Sequence, residues 1–325
     1  MVATSSFPLA KASMLFSTQD RPPSERRDWW REVICRHYTQ VEIVSNLAAD
    51  YSAETRILHL PGMQFSAVRS EAISIVKQAI SPERWDQDAY FAVLLLSGAY
   101  RLRQDGREVA LQPGDMAIYD ATRQHRLDCF GDDFSKLIFA IPRRMLQNRF
   151  ATVERCTAVR MAGNTGIGAI VSNFLRTSAH QIEGLPADEL VKISHATIDM
   201  LLWNLNAIKP GRPLSPSREQ ALIRVKAYIE QQLRDSQLDA AMIAGKVGLS
   251  PRYINSLFAT EDTSLMRYVL QRRLECCHRE LSLAGQNGRV SDLAFRWGFN
   301  DLSHFSRAFK QRYGITPRQL NPPSA

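Results

Sequence analysis

The sequence lacks the marks of the more specialised protein classes. Its five cysteines (Cys35, Cys129, Cys156, Cys276 and Cys277) are an odd number with no Cys-x-x-Cys spacing, which excludes a disulfide scaffold. The longest apolar runs, such as Phe91–Leu96, are far short of the roughly 20 residues that span a bilayer. No N-terminal stretch joins a basic start, an apolar core and a small-residue cleavage site. The expectation is therefore a reduced, cytoplasmic protein that does not enter a membrane. Gly-x-Ser-x-Gly, phosphate-loop and dinucleotide signatures are missing as well, which argues against the enzymes built on them.

What is present is ordinary in amount and uneven in place. The 325 residues are 45% hydrophobic and 23% charged, enough for two globular domains. Lys and Arg number 41 against 33 Asp and Glu, a net charge of +8. Residues 1–210 hold 24 basic and 23 acidic side chains, or +1, while residues 211–325 hold 17 and 10, or +7. A neutral front and a basic back imply that only the back meets a polyanion.

The texture changes along the chain. The stretch up to Gln19 shows no periodicity and reads as loosely ordered. Ser24–Tyr38 reads as a helix capped by Ser24, with Trp29, Trp30, Val33, Ile34 and His37 at helical spacing. Eight short strands follow: 57–60, 63–69, 72–80, 90–103, 109–111, 115–119, 126–130 and 136–141. They are separated by Pro61-Gly62, Ser81-Pro82, Asp105-Gly106, Pro113-Gly114 and Gly131-Asp132, which predicts an antiparallel sandwich or barrel. Asp105-Gly106 is the sharpest hairpin signal, because its turn needs positive φ at both centres. Asp115 and Asp120 are explained by turn chemistry better than by acid–base catalysis.

Beyond Pro142 the pattern is helical. One helix carries Ile167, Ile170, Val171, Phe174, Leu175 and Ile182. The next, 188–208, has Leu190, Ile193, Thr197, Leu201, Leu205 and Ile208 on one stripe, broadened by Val191, Ile198 and Leu202. So wide a stripe serves either its own domain alone or a partner subunit as well. Three prolines, a glycine and two serines in 209–218 read as a linker.

The basic back contains an internal duplication. Ile243-Ala-Gly-Lys-Val-Gly-Leu249 matches Leu293-Ala-Phe-Arg-Trp-Gly-Phe299, and Ser250–Phe258 matches Asn300–Phe309. Each copy reads as a short helix, a glycine turn, a polar cap (Ser250, Asn300) and a second helix, which is the anatomy of a helix-turn-helix. Ile254, Leu257 and Phe258 face inward in the first copy, leaving Arg252, Asn255 and Ser256 outward. Phe305, Ala308 and Phe309 face inward in the second, leaving Ser303, Ser306, Arg307 and Lys310 outward, with Leu302 at the helix start. Arg and Asn are the side chains that pair with guanine and adenine edges in the major groove.

These residues carry a specific resemblance. The stretch from Asp239 to Gln319 resembles the DNA-binding domain of the AraC/XylS family of bacterial transcription regulators. It does so through Gly248-Leu-Ser-Pro-Arg252, Leu257-Phe258, Arg273-Leu274, Asp292-Leu-Ala294, Gly298-Phe-Asn-Asp-Leu-Ser-His-Phe-Ser-Arg-Ala-Phe309 and Gly314-Ile-Thr-Pro317. The resemblance implies two helix-turn-helix units joined by a long helix, here about 264–283. Their second helices would enter successive major-groove segments roughly 34 Å apart. It also implies base reading by Arg252, Asn255 and Ser256, then by Leu302, Ser303, Ser306 and Arg307. Ser256 replaces the arginine of many relatives, and Asp262 stands at a common glycine position. Residues 90–150 similarly resemble the cupin-like ligand domain of a branch that regulates catabolism of aromatic amines, aromatic acids or nitriles. The matching features are Gly98-Ala-Tyr-Arg-Leu, Gln112-Pro-Gly-Asp115, Tyr119-Asp120 and Ile141-Pro-Arg143.

Many cupins bind metal, but His125 is alone on its strand, and His37 and His59 follow no ligand spacing, so no metal and no cofactor are expected. A small effector is expected in the β domain, with Trp85, Tyr90, Tyr119 and His125 as candidate contacts and Tyr100 and Phe139 as further ones by residue type. Arg101 and Arg103 read as a solvated strand face.

The expected architecture is α+β: a cupin-like antiparallel β domain with flanking helices, then an all-α domain. The boundaries are an N-terminal segment 1–55, an effector domain 56–150, a helical dimerisation region 151–208, a linker 209–219 and a DNA-binding domain 220–325. The expected function is sequence-specific, effector-responsive transcription activation of a catabolic operon. Its partners would be promoter DNA, RNA polymerase, a small effector and a second copy of the chain. The rivals are an effector-independent regulator and a cupin-type metal enzyme fused to a DNA-binding domain.

Overall fold

Short β-branched and aromatic runs broken by Gly, Pro and Asp turns build the front of this protein into sheet, as shown by a computed structural model that describes residues 13–78, 87–208, 215–261, 263–283 and 289–320. Nine strands join in one antiparallel sheet: β1 (Met14–Ser17), β2 (Glu42–Ile43), β3 (Ala53–Leu60), β4 (Met63–Ser70), β5 (Ile73–Lys77), β6 (Ala89–Gln104), β7 (Arg107–Leu111), β8 (Met116–Asp120) and β9 (His125–Pro142). The path runs β1-β3-β4-β9-β5-β2, and β6 pairs with β7, β8 and β9. The β6–β7 hairpin closes on Asp105 (φ 56) and Gly106 (φ 73), both left-handed as that turn requires. Helix α1 (Arg26–His37) lays Trp30, Val33 and Ile34 into the sheet's apolar core.

Three expectations are corrected here. The supposedly loose start contains β1, which pairs with β3 from Met14↔Ile57 to Ser17↔Glu54. Met14 and Phe16 pack half-buried on the core with the exposed Leu15 between them, and three apolar residues in a row hide that alternation in the sequence. Ser24 does not cap α1: a short 3-10 turn over Pro23–Glu25 leads in, and no side chain caps the helix.

The third correction is the largest. The two strands expected at 126–130 and 136–141 are one strand, β9, and Gly131-Asp132 is no hairpin turn. A hairpin would pair the two halves with each other, but each half pairs with a different part of β6, which is nearly as long. Between Ala99↔Phe130 and Leu95↔Lys136, four steps on β6 (99 to 95) face six on β9 (130 to 136), with a register shift on each side of Ser97↔Ser135. The excess forms a bulge where both strands bend. Gly98 (φ 80) and Gly131 (φ 106) sit in that bend, and a Cβ on Gly98 would lie 2.6 Å from the Phe130 carbonyl oxygen.

After the sheet come α2 (Arg143–Gln147), α3 (Gly166–Gln181) and α4 (Ala187–Ile208). On α4, Leu190, Thr197, Ile198, Leu201, Leu202 and Leu205 are buried, whereas Val191 and Trp203 are exposed. The back of the chain is helical throughout: α5 (Pro216–Gln232), α6 (Ala240–Val247), α7 (Pro251–Phe258), α8 (Leu265–Leu283), α9 (Val290–Arg296), α10 (Leu302–Tyr313) and α11 (Pro317–Leu320). It has its own apolar core, including Leu222, Ile229, Ile254, Phe258, Val269, Phe305 and Phe309.

The chain divides into two compact units. The described residues of the first fall within Met1–Lys77, Gln87–Leu146 and Val153–Gly211. Those of the second fall within Gln78–Asp86, Gln147–Thr152 and Arg212–Ala325. Most of the linker expected at 209–219 lies outside the described residues, and so does Asp262. No helix among the described residues is long and apolar enough to cross a membrane.

Gly98→Ala should destabilise the protein by about 1–3 kcal/mol, through left-handed strain and the clash with the Phe130 carbonyl. Gly106→Ala, equally left-handed but with open space around the added methyl, should cost less. Urea midpoints of the two variants measure the difference, and equal losses would remove the close approach as the cause.

Candidate nucleic-acid interface and ligand cavity

The first helix-turn-helix is built as its sequence requires. Asp239 caps α6 by accepting from the Met242 amide at 2.7 Å, and α6 ends on Gly248 in the left-handed region. Ser250 then caps α7 through the Tyr253 amide at 3.2 Å, with Pro251 at the first helical position. Ile254, Leu257 and Phe258 are fully buried, so Arg252, Asn255 and Ser256 face outward and are exposed.

The second unit repeats the plan with one correction. Asn300 is not the cap of α10. Asp301 is, accepting from the Ser303 and His304 amides at 2.7 and 3.1 Å, and those two bonds hold its carboxyl below the ordinary carboxylate range. A carboxylate accepts two amides at a helix start more strongly than a neutral amide oxygen can. Asn300 instead donates to the Ser236 carbonyl at 3.2 Å. Phe305 and Phe309 are buried; Ser303, Arg307 and Lys310 are exposed, and Leu302 and Ser306 are half-buried.

Outward position is not the same as freedom to read a base. Arg252 and Lys310 make no side-chain hydrogen bond or ion pair among the described residues. The Arg307 guanidinium touches only its own helix, through the Ser303 carbonyl at 3.3 Å. Asn255 is committed at both ends: its amide nitrogen donates to the Pro251 carbonyl, and its oxygen accepts from the Leu265 amide, both at 3.1 Å. It therefore joins α7 to the first turn of α8. Ser256 donates to the Tyr253 carbonyl at 2.7 Å and receives Arg218 at 3.4 Å. Among the other basic residues, Arg272 is buried against Glu230 and Glu275, and Arg273 donates to the Leu233 and Asp235 carbonyls. Both hold the fold.

In the first unit a cavity of about 50 Å³ lies between α1 and the sheet. That is several times the roughly 10–15 Å³ that one water needs. Its wall includes Trp30, Ile34 and Tyr38 from α1, Thr55 from β3, Val68 from β4, Ile73 and Ile75 from β5, and Tyr119 from β8. From β9 come His125, Leu127, Cys129, Phe134, Lys136 and Ile138. The β9 residues show what the bulge does. Odd positions face the cavity before it and even positions after it, so the alternation of β9 reverses across the irregularity.

Of the residues expected to meet an effector, Tyr119 and His125 line this cavity, with their rings 4.8 Å apart. The His125 Nδ1 lies 2.9 Å from the Arg123 carbonyl, and a proton shared there leaves Nε2 as an acceptor when the ring is neutral. Trp85 lies outside the described residues. Tyr90 is elsewhere. Its hydroxyl donates to Glu154 at 3.0 Å and accepts from Arg143 at 2.8 Å, in a buried cluster where Arg143 also binds Asp88 and Asp120. On β6 it is Phe91, one residue on, that packs with the core against Tyr119. Tyr100 and Phe139 are buried but outside the cavity wall.

Asp115 and Asp120 do hold turns, accepting from the Gln112 and Thr122 amides, and each also binds an arginine, Arg160 and Arg143 respectively. Arg101 and Arg103 pair across the hairpin with Glu108. Lys136 was not singled out by the sequence, although a lysine leading the run Leu137–Ile141 was the available signal. It is buried, with its ammonium 4.7 Å from the Tyr100 ring centre, and burial lowers its pKa below the ordinary lysine value. Among the described residues no three His, Cys, Asp or Glu side chains are grouped to hold a metal.

Comparison with known proteins gives two family matches. An AraC-binding-like domain matches residues 30–202, more than half the chain, and a helix-turn-helix domain matches residues 243–321. The transcriptional activator NphR of a Rhodococcus species is 26% identical over 304 residues, covering 92% of this chain and 90% of NphR. A protein from the nit 5′ region of Bacillus sp. strain OxB-1 is 26% identical over 78% of this chain and 99% of its own length. Among solved structures, the AraC-like transcriptional activator CuxR superposes with a TM-score of 0.55 at 19% identity, covering 81% of this chain and 94% of CuxR.

Asn255→Ala should lower stability by about 1–3 kcal/mol, because it leaves the Leu265 amide without its acceptor. Arg252→Ala, with no such partner, should stay within about 0.5 kcal/mol of the parent. Chemical denaturation followed by helical circular dichroism separates the two, and an unchanged Asn255→Ala would free that side chain for DNA.

Proposed function

This chain belongs to the AraC family of regulators, as its AraC-binding-like and helix-turn-helix domains show, and on that premise we propose that it is an effector-responsive activator of a catabolic operon. It is a DNA-binding regulator rather than an enzyme. The observation that carries the proposal is the pairing of two capped helices that present exposed polar faces with a mostly apolar cavity between α1 and the sheet of the first unit. The names of the relatives support the direction of control and the metabolic setting. One is an activator, and another is encoded beside a nit locus.

In this reading α7 and α10 enter successive major-groove segments of promoter DNA. Arg252 and Arg307 read bases, Lys310 holds a phosphate, and Leu302, Ser303 and Ser306 complete the second face. Asn255 and Ser256 shape the first helix more than they read. Effector binding against α1 shifts a pre-existing equilibrium of the first unit, and RNA polymerase is the downstream partner in the cytoplasm. A second copy of the chain is the proposed partner of α4, supported by the exposed Val191 and Trp203 on a helix otherwise buried along its apolar stripe.

Arg252→Ala and Arg307→Ala should each cost about 1–3 kcal/mol on the cognate site and relax base preference there. Lys310→Ala should weaken cognate and random DNA alike and reduce the salt dependence of binding. Fluorescence anisotropy across a salt series reads all three. A uniform loss for Arg307→Ala would reassign it to the phosphate backbone.

A further inference from the structure

We propose that Arg218, delivered from α5 against the exposed side of α7, is a further DNA-contacting residue and holds a backbone phosphate at the rim of the groove. The inference rests on the reading of α7 as a DNA-entering helix and adds to it a contact from outside the two helix-turn-helix units.

Arg218 occupies an unusual position for a charge. On α5 it begins the inward stripe that continues with Leu222, Val225 and Ile229, at i, i+4, i+7 and i+11, and those three are fully buried. An apolar residue is expected at the head of that stripe, yet a half-buried arginine stands there. Other buried or half-buried cations of the same unit are met by carboxylates: Lys226 by Glu261 at 2.8 Å, Arg312 by Glu275 at 2.6 Å and Arg272 by Glu230 at 2.7 Å. Arg218 meets no carboxylate among the described residues. Its Nη2 lies 3.4 Å from the Ser256 hydroxyl and 3.5 Å from the Ser256 carbonyl oxygen, both at the outer limit of hydrogen bonding. Its Nε is buried and has no acceptor among the described residues. The Tyr253 ring centre is 5.9 Å from its Cζ, the far end of the range for a cation over a ring. A guanidinium carries five N–H donors, so this one is placed but not satisfied.

The weak contacts fix where the charge stands. Ser256 is exposed and lies one turn along α7 from the exposed Arg252, so the guanidinium rests beside the face that carries Arg252. A side chain arriving from a neighbouring helix runs along the flank of α7 rather than beyond its tip. For a helix in the major groove, the tips meet base edges and the flanks meet the phosphates of the groove wall. A phosphate offers paired oxygens that fit the guanidinium fork, and it supplies the acceptor that Nε lacks. Arg218 therefore adds affinity and register, not choice of base.

The experiment is fluorescence anisotropy of the full chain across a salt series, on a duplex that the parent selects from a random pool and on a scrambled duplex. Arg218→Met, which suits the apolar stripe, should melt no lower than the parent. It should weaken binding to both duplexes by the same several-fold factor and reduce the log–log salt slope by about one. Arg218→Lys, which keeps the charge, should retain the parent slope. An unchanged slope in Arg218→Met overturns the assignment whatever its melting temperature, because a residue that only closes the end of α7 alters stability and not the number of ions released. A loss confined to the selected duplex also overturns it and makes Arg218 a base reader. If Arg218→Met fails to fold, Arg218→Gln, which keeps a donor for the Ser256 carbonyl, is judged by the same slope. Arg252→Ala on the selected duplex separates the two levels. If it weakens binding and Arg218→Met does not, the Arg218 contact falls alone. If neither variant changes binding, the reading of α7 falls and takes the contact with it.

Discussion

The pairing of β6 with β9 is the constraint on which the first unit depends. These are its two longest strands, and every other strand of the sheet except β1, β2 and β3 is hydrogen-bonded to one of them. Both must bend at the same level for the sheet to curve, and the bend brings Gly98 and the Phe130–Gly131 backbone closer than any Cβ allows. The bulge also sets which side chains of β9 meet the cavity. His125, Leu127 and Cys129 come from one phase of the strand and Phe134, Lys136 and Ile138 from the other. One backbone irregularity therefore decides both the curvature of the sheet and the chemistry of the cavity beside it.

Buried charge is used in two ways in this unit. Arg143 is surrounded by two carboxylates, a tyrosine hydroxyl and the Thr122 hydroxyl, so its charge is compensated and the cluster locks β6, β8 and the start of α2 together. Lys136 has the ring faces of Tyr100 and Phe134 and the Cys129 thiol within electrostatic reach but, among the described residues, no carboxylate. A fully paired ion stabilises a specific arrangement, whereas an unpaired one raises the energy of the protein that carries it.

The second unit shows how little of a DNA-reading face is free. α7 and α10 are each fixed by an acceptor at the N-terminus and an apolar stripe beneath. Asn255 was assigned outward by periodicity, and it is outward, but its amide is occupied in joining two helices. Periodicity tells which way a residue points and is silent about what its polar atoms bind. The same limit explains Asn300 and Asp301: both are acceptable caps by type, and only the path of the chain shows which oxygen meets the amides.

The sequence by itself determined the class of each unit, because that depends on local signals. The Asp105-Gly106 turn, the glycine stops at Gly248 and Gly298, the Ser250-Pro251 start and the inward stripes of α7 and α10 follow from backbone sterics and the periods of helix and strand. It also separated the basic back from the neutral front. Only the tertiary structure decided that Gly131 bends a strand rather than ending one, that Tyr90 belongs to an ion-pair cluster and that Lys136 faces a cavity. Those outcomes rest on long-range pairing. A strand's register is set by its partner, and β9 pairs with β6 across a sequence separation of 38 residues at Ser97↔Ser135.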